Sequence, residues 1–169
     1  LTYFHAENAL GPVELAVSSF GQRFKTSMIQ LISSISCVAN GGDLVTPRLV
    51  KSIVDQDGNV INSFEPEIRR QVISAQTAQS ISKILEEGVS GNGGAKNAYV
   101  AGYRIAGKTG TSEKQPRSAG KKIASMVAFA PADDPQVAIL VGVDNAPGPY
   151  RGGGVLAAPI AKEVLESTL

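Results

Sequence analysis

The stretch of sequence with the most suggestive chemistry is GYRIAGKTGTSEK, residues 102–114. Its first part, residues 102–109, satisfies the pattern G-x-x-x-x-G-K-[ST], in which a glycine-rich loop binds nucleotide phosphates through backbone amides. The same stretch contains Lys108-Thr109-Gly110, which matches the K-T-G motif of enzymes that transfer acyl groups through a serine. The two interpretations predict unrelated reactions, and the local structure of the stretch distinguishes them.

A phosphate loop works only if a helix begins at its Lys-Thr pair, because the helix N-terminus points its amides at the phosphates. The residues after Thr109 include Gly110, Pro116 and Gly120 and show no apolar stripe, which is typical of a loop. The preceding YRIA alternates as a strand does. Residues 137–144, VAILVGVD, match the strand that ends in a magnesium-binding aspartate in phosphate-loop enzymes. Even so, we expect Lys108-Thr109-Gly110 to lie on a strand.

Hydrophobic periodicity and turn residues predict the elements that position this strand. Apolar residues recur at helical spacing in residues 27–39, with Ser27 or Thr26 as the cap and Asn40-Gly41-Gly42 as the end. In chain order we expect a helix (27–39), a hairpin about Asp57-Gly58 (49–64), a helix (75–87), three strands (99–112, 123–130 and 136–145) and a final helix (159–167). This order is typical of an α+β fold with an antiparallel sheet and helices packed on its faces.

The two later helices carry specific expectations about their ends and buried faces. Ser74 is expected to cap the helix over 75–87, and Pro159 is expected to open the last helix, because proline suits the first helical turn. The apolar spacing predicts that the first of these helices buries Ala78, Ile81, Ile84 and Leu85, and that the second packs through Leu156, Ile160 and Val164.

Composition excludes several classes of protein. A chain of 169 residues with 43% hydrophobic residues can bury a core as one domain or a large piece of one. Sixteen basic and fifteen acidic residues leave no basic footprint for nucleic acid. No apolar run approaches the roughly 20 residues that span a bilayer, so the chain as given is expected to be soluble. Because it begins at Leu1 without methionine, we expect a processed, cleaved or trimmed product.

Five blocks of sequence are together far more specific than K-T-G alone. They are SFGQRF (19–24), VANGGDLVTPRLV (38–50), AGKTGTSEK (106–114), VAFAPADDPQVAILVGVDN (127–145) and APIAKEVLESTL (158–169). In these blocks the chain resembles the C-terminal part of the transpeptidase domain of class B penicillin-binding proteins, membrane-anchored enzymes that cross-link peptidoglycan. One departure is that Thr26-Ser27-Met28 stands where relatives commonly have Val-Thr-Pro before the first helix.

The resemblance implies a penicillin-binding transpeptidase fold, similar to serine β-lactamases and incomplete in this chain, with residues 1–169 as the C-terminal portion of the domain. It implies that Lys108 and Thr111 are catalytic, with the Thr111 backbone N–H in the oxyanion hole. It also implies that Thr109, Gly110 and Thr111 bind substrate. The hydroxyls of Thr109 and Thr111 share a face of the strand and bond a terminal carboxylate, while Gly110 allows close approach.

The nucleophilic serine of this family lies upstream of every residue in this chain. Ser80 and Lys83 satisfy Ser-x-x-Lys, and Ser90 and Asn92 satisfy Ser-x-Asn, but both patterns are expected to be coincidental. Ser80 is predicted on a solvated helix face, which offers neither the helix N-terminus nor the burial that activates a nucleophile. We therefore expect the nucleophile on an upstream part of the same domain, possibly as a separate chain.

Further expectations concern ligands and location. The resemblance implies stem peptides and β-lactams as ligands, no cofactor or metal, no nucleic acid, and a site at the extracytoplasmic face of the bacterial cytoplasmic membrane, with the membrane reached only through an upstream anchor. Two other functions stay open: a non-catalytic β-lactam sensor and a nucleotide-binding domain. Gly152-Gly153-Gly154 is expected to be a loop beside the cleft without chemistry of its own, and Tyr150 and Arg151 are candidate substrate contacts.

Overall fold

The structure is a computed structural model, and it describes residues 2–114, 116–149 and 152–169. The chain forms two compact units, one that ends at Leu31 and one that begins at Ile32. The first unit contains a short 3-10 helix (Glu7–Ala9) and helix α1 (Pro12–Ser18), neither of which the sequence predicted. Within this unit Arg23 forms an ion pair with Glu14 at 2.8 Å.

Helix α2 (Met28–Ala39) lies where periodicity predicts it. Ser27 is its cap, because the Ser27 hydroxyl accepts from the Gln30 N–H at 3.3 Å while the Gln30 side chain accepts from the Ser27 N–H at 3.0 Å. This reciprocal pair is a capping box. The helix ends at Gly41 and Gly42, which have φ angles of 86° and 107° that suit glycine.

Two small antiparallel sheets follow α2. Strand β2 (Ser52–Val54) pairs with β3 (Val60–Ser63), which confirms the hairpin, although its strands are shorter than predicted. Strand β1 (Asp43–Val45) pairs with β4 (Ile68–Gln71), a pairing that the sequence did not predict. The hairpin turn is held by Asp55, whose carboxylate accepts from the backbone N–H groups of Asp57 and Asn59. The hydrogen bond from the Asn59 side-chain amide at 2.9 Å, together with these backbone hydrogen bonds, lowers the pKa of Asp55.

Helix α3 (Ala75–Ser90) begins where predicted and ends later than expected. The Ser74 hydroxyl accepts from the Thr77 N–H at 3.1 Å, which confirms the cap. The prediction that Ile84 is buried is wrong, since 67% of this residue is exposed. Ala78 is buried as predicted, and the helix also buries Ser82 and Val89.

The main sheet contains three antiparallel strands, β5 (Ala106–Glu113), β6 (Lys122–Ala130) and β7 (Val137–Asp144), in the order β5-β6-β7. All three predicted strands are present, but β5 begins at Ala106 because residues 99–105 form a turn and an unpaired segment. In the register, Thr109 faces Met126, which in turn faces Val141. Strand β5 is therefore an edge strand of this sheet.

Helix α4 (Gly153–Thr168) closes the chain, and it corrects two expectations. It begins at Gly153, so Pro159 lies inside the helix instead of opening it. Ile160 and Val164 are exposed, whereas the buried face consists of Ala157, Ala158, Ala161 and Leu165 in addition to Gly153.

The main sheet carries a hydrophobic cluster on each face. On one face, Met126, Ala128 and Ala130 of β6 pack with the buried face of α4. On the other face, Phe129 and Ala106 pack with Ile35 of α2. Because successive strand residues point to opposite faces, the sheet lies between α2 and α4, as an α+β fold with helices on its faces requires. Within the described part of the chain, no helix combines the length and the hydropathy that crossing a membrane requires.

Candidate active site

Residues 106–113 form a strand, not the start of a helix. This confirms the prediction for the K-T-G stretch and removes the geometry that a phosphate loop needs. Lys108 and Thr111 are exposed on the strand, and Thr109 and Gly110 are partly buried. The site residues predicted from the sequence are thus adjacent on one edge strand.

The outer edge of β5 is not paired with another strand among the described residues. Just beyond the strand, the Lys114 N–H donates to the Lys121 carbonyl at 2.9 Å, so even-numbered residues turn their polar groups toward β6. Odd-numbered residues then point outward, and the Thr109 carbonyl does so, because it accepts from Lys108 Nζ at 2.7 Å. The Thr111 N–H shares this outward direction. An extended peptide can therefore pair with this edge as an added strand.

Thr109 and Thr111 lie on the same face of β5, as their spacing predicted. Their cross-strand partners are Met126 and Ala124, which are buried on the α4 side of the sheet. Gly110 and Lys108 belong to the opposite face. A Cβ atom added to Gly110 would lie 2.6 Å from the Ser125 hydroxyl oxygen, so this glycine also has a packing role.

The three consecutive glycines contact this strand, and they are not a loop as predicted. Gly152 is the cap of α4, and Gly153 and Gly154 form its first residues. The Gly153 N–H donates to the Thr111 hydroxyl oxygen at 3.1 Å. The run of glycines in the sequence does not predict this hydrogen bond, because it joins residues 42 positions apart in the chain.

The serines of the two coincidental motifs are occupied within helix α3. The Ser80 hydroxyl is exposed and donates to the Gln76 carbonyl at 2.9 Å, while Lys83 is exposed on the same helix. The Ser90 hydroxyl donates to the Glu86 carbonyl at 3.0 Å. These geometries agree with the expectation that neither serine is an activated nucleophile.

An ion cluster that the sequence did not predict joins three segments near the start of β5. Arg104 binds both carboxylate oxygens of Glu86 in α3, at 2.7 and 2.8 Å, and it contacts Asp133 of the β6–β7 turn at 2.6 Å. The hydrogen bond from Arg104 lowers the pKa of Glu86, and its two carboxylate partners raise the pKa of Arg104. A surface cavity of about 270 Å³ adjoins the cluster, and its lining excludes Lys108, Thr109 and Thr111.

Two further questions are where the candidate substrate contacts lie and whether any group of side chains could hold a metal ion. Tyr150 and Arg151, the candidate substrate contacts, lie outside the described residues. Among the residues that are described, no group of three or more His, Cys, Asp or Glu side chains is arranged to hold a metal ion. Cys37 is buried, and burial raises the pKa of its thiol, which disfavours the reactive thiolate.

A family model described as the penicillin-binding protein transpeptidase domain matches residues 5–166. The chain belongs to this family. Stage V sporulation protein D of Bacillus subtilis is 38% identical over 164 residues, which is 95% of this chain and 25% of the relative. Peptidoglycan D,D-transpeptidase PbpA of Mycolicibacterium smegmatis is 35% identical over 174 residues, which is 97% of this chain and 34% of the relative.

Solved structures of the family share the fold. Penicillin-binding protein A of Mycobacterium tuberculosis, in a ceftriaxone acyl-enzyme complex, matches 94% of this chain and 37% of its own length with a TM-score of 0.80 and 31% identity. The transpeptidase domain of Burkholderia pseudomallei penicillin-binding protein 3 matches 99% of this chain and 49% of its own length, with a TM-score of 0.84 and 28% identity. The chain thus has the penicillin-binding transpeptidase fold and spans between a quarter and half of these proteins.

Proposed function

We propose that the protein containing this chain is a peptidoglycan D,D-transpeptidase, and that this chain supplies its substrate-binding strand. The observation that carries the proposal is the open outer edge of β5, on which Lys108, Thr109 and Thr111 are adjacent in a member of the transpeptidase family. Several relatives, among them PbpA of Mycolicibacterium smegmatis, bear the name peptidoglycan D,D-transpeptidase, and one related structure holds a β-lactam as an acyl-enzyme.

In this reaction a serine oxygen attacks the carbonyl carbon of the penultimate D-alanine of a stem peptide. The serine ester forms, D-alanine leaves with the serine proton, and an amine of a second strand then takes the acyl group and frees the serine. In the proposed reaction the outward Thr111 N–H binds the oxyanion together with the N–H of the nucleophile. The ammonium of Lys108 and the hydroxyls of Thr109 and Thr111 favour the terminal carboxylate of the substrate.

The proposal includes the position of this chain in the domain. Residues 1–169 form the C-terminal portion, and the upstream portion supplies the serine nucleophile, in the same chain or as a separate one. The exposed Ser80, bonded within its own helix, supports an external nucleophile. The active protein would act at the extracytoplasmic face of the cytoplasmic membrane, held there by an upstream anchor, with stem peptides and β-lactams as its ligands.

Fluorescent penicillin tests the proposal directly. We expect this chain alone to carry no covalent label on a denaturing gel, and the protein that includes its upstream portion to carry one label on a serine outside residues 1–169. Lys108→Ala in that longer protein should reduce labelling by at least about tenfold, as loss of a charge that binds the substrate carboxylate predicts. Lys96→Ala, which removes an exposed lysine of a different segment, is the matched control.

Two outcomes would contradict the proposal. Label on Ser80 in the isolated chain would place the nucleophile here and refute the division of the site. Labelling without any cross-linking of stem peptides by the longer protein would indicate a β-lactam sensor instead of an enzyme.

A further inference from the structure

The first turn of α4 contacts the K-T-G strand through backbone groups. Gly153 is buried, and its N–H donates to the Thr111 hydroxyl oxygen at 3.1 Å. A Cβ atom added to Gly153 would overlap the carbonyl oxygens of Gly110 and Ser125. Only glycine lets the helix approach β5 closely enough for this hydrogen bond.

A side chain from the segment before β5 holds the same helical turn. The Asn97 side-chain amide donates to the Gly154 carbonyl at 2.7 Å, and the two residues are 57 positions apart in the chain. Gly154 also lies against Gly94, because an added Cβ would overlap the Gly94 carbonyl. Asn97 therefore fixes the position from which Gly153 reaches Thr111.

The hydrogen bond from Gly153 determines what the Thr111 hydroxyl offers to a ligand. A hydroxyl accepts through its lone pairs and donates through its single proton. With one lone pair occupied by the Gly153 N–H, the proton points away from α4, and cooperativity strengthens it as a donor. A carboxylate gains more from such a donor than a neutral ester does, because hydrogen bonds to charged groups are stronger.

We propose that Gly153 and Asn97 are positioning residues, in which the Gly153 amide orients the Thr111 hydroxyl as a donor to the terminal carboxylate of the substrate or β-lactam and Asn97 holds that amide in place. This inference rests on the proposed function, since it assigns a role in the binding of the carboxylate.

The test compares acylation of the intact transpeptidase by a penicillin and by the methyl ester of the same penicillin. Glycolate in place of Gly153 changes one amide to an ester, which removes the N–H without adding a Cβ. We expect the acylation rate constant for the penicillin to fall about tenfold, and that for the methyl ester to change less than about twofold, because only the charged ligand loses a strong hydrogen bond. An equal fall for both compounds would show a purely structural role and overturn the proposal.

Thr111→Val provides the second arm, because it removes the hydroxyl and keeps the backbone N–H. In that background, glycolate at position 153 should leave the ratio of the two rate constants unchanged, since the group on which it acts is gone. A further fall in the ratio would show that the Gly153 N–H acts through another group, which contradicts the proposal.

Asn97→Ala tests the hydrogen bond from the Asn97 side chain to the Gly154 carbonyl. It uses a natural amino acid, so it still tests the proposal if the glycolate variant fails to fold. We expect it to lower the ratio of penicillin to ester acylation about threefold or more, as loss of one neutral hydrogen bond allows. Asn97 lies in a short 3-10 helix (Lys96–Ala98), so Lys96→Ala in the same helix is the matched control and should leave the ratio unchanged. An unchanged ratio in Asn97→Ala would overturn the role of Asn97. If the unsubstituted protein is not acylated by penicillin at all, the proposed function fails and this inference fails with it.

Discussion

Gly110 has two separate reasons to be glycine. In the proposed reaction, the absence of a side chain lets the substrate approach β5. In the folded chain, a Cβ atom at this position would lie 2.6 Å from the Ser125 hydroxyl oxygen and 4.0 Å from the Ser125 Cβ. The contact with the hydroxyl is thus too close, whereas the contact with the Cβ is an ordinary one. Mutation of both positions distinguishes the packing role from the substrate role.

We expect Gly110→Ala to lower the free energy of unfolding by at most about 1 kcal/mol, the low end of the cost of overpacking, because the Ser125 hydroxyl can rotate away from the new Cβ. Adding Ser125→Ala should restore most of this loss, because it removes the atom that the new Cβ meets. Thermal unfolding of the two single variants and the double variant measures both effects. Penicillin acylation should remain slow in the double variant if Gly110 also serves substrate approach. A double variant as unstable as Gly110→Ala would contradict the packing role.

For single residues, the sequence predicted those features that depend only on local backbone geometry. The shared face of Thr109 and Thr111 follows from strand alternation, which needs no knowledge of the rest of the fold. The hydrogen bond from Gly153 to Thr111 depends on where α4 packs against the sheet. The sequence does not predict this position, because consecutive glycines occur both in loops and at close helix contacts. Arg104 and Glu86 likewise meet only through tertiary structure, since they are 18 residues apart.

Among the elements, α3 and the segment before β5 are joined by the Glu86–Arg104 pair. The pKa of Glu86 is lowered in the folded state, chiefly by its hydrogen bond from Arg104. A lowered carboxylate pKa contributes stability above the unfolded-state pKa, and that contribution is lost as the pH falls through the folded-state value. The pair should therefore stabilise the chain at neutral pH and not in acid.

We expect Glu86→Gln to lower the melting temperature by roughly 2 °C at pH 7, a size appropriate to an exposed pair with bidentate geometry. The difference from the unsubstituted chain should shrink as the pH falls through the lowered folded-state pKa of Glu86, because protonation of the carboxylate removes its charge. Glu166→Gln is the matched control, because its pair with Lys162 is a longer contact of 3.6 Å within one helix. A difference that persists unchanged in acid would refute the electrostatic explanation.

Helix α4 shows why apolar spacing alone misplaced an element. The sequence places Leu156, Ile160 and Val164 on one stripe, but the helix turns small residues toward β6, where Ala157, Ala158 and Ala161 are fully buried. Close packing of a helix against a sheet favours alanine, and the spacing of large apolar residues does not reveal that preference. Pro159 suggested a helix start, yet it lies in the interior of a longer helix. The β1–β4 pair escaped prediction because its strands are short and separated by a whole hairpin.

Across the molecule, many large apolar side chains are exposed. Among the described residues they include Leu15, Phe20, Leu49 and Ile61, with exposed fractions of 65%, 68%, 103% and 68%. Single exposed apolar side chains are common on soluble proteins, whereas contiguous apolar patches usually contact another part of a protein. The chain also spans only 49% of a related transpeptidase domain. In the proposed arrangement, the upstream portion of the domain covers part of this surface.

This proposal predicts a difference in dye binding between two forms of the protein. We expect the isolated chain to enhance the fluorescence of 8-anilinonaphthalene-1-sulfonate at least about twofold more, at equal molar concentration, than the protein with its upstream portion, because the dye binds exposed apolar surface. Near-UV circular dichroism of the isolated chain is the control for folded side-chain packing. Equal or weaker dye binding by the isolated chain would contradict coverage by the upstream portion.

In the proposed transpeptidase, the glycines at the start of α4 also limit which substitutions can confer resistance to an inhibitor. Any side chain at Gly153 overlaps the carbonyl oxygens of Gly110 and Ser125, and any side chain at Gly154 overlaps that of Gly94. Substitution at Gly153 therefore displaces β5, on which the proposed binding of substrate depends, and substitution at Gly154 displaces the segment that contains Gly94. An inhibitor that binds the backbone at this position would contact residues that tolerate almost no substitution. Resistance would therefore have to arise from substitutions at other residues.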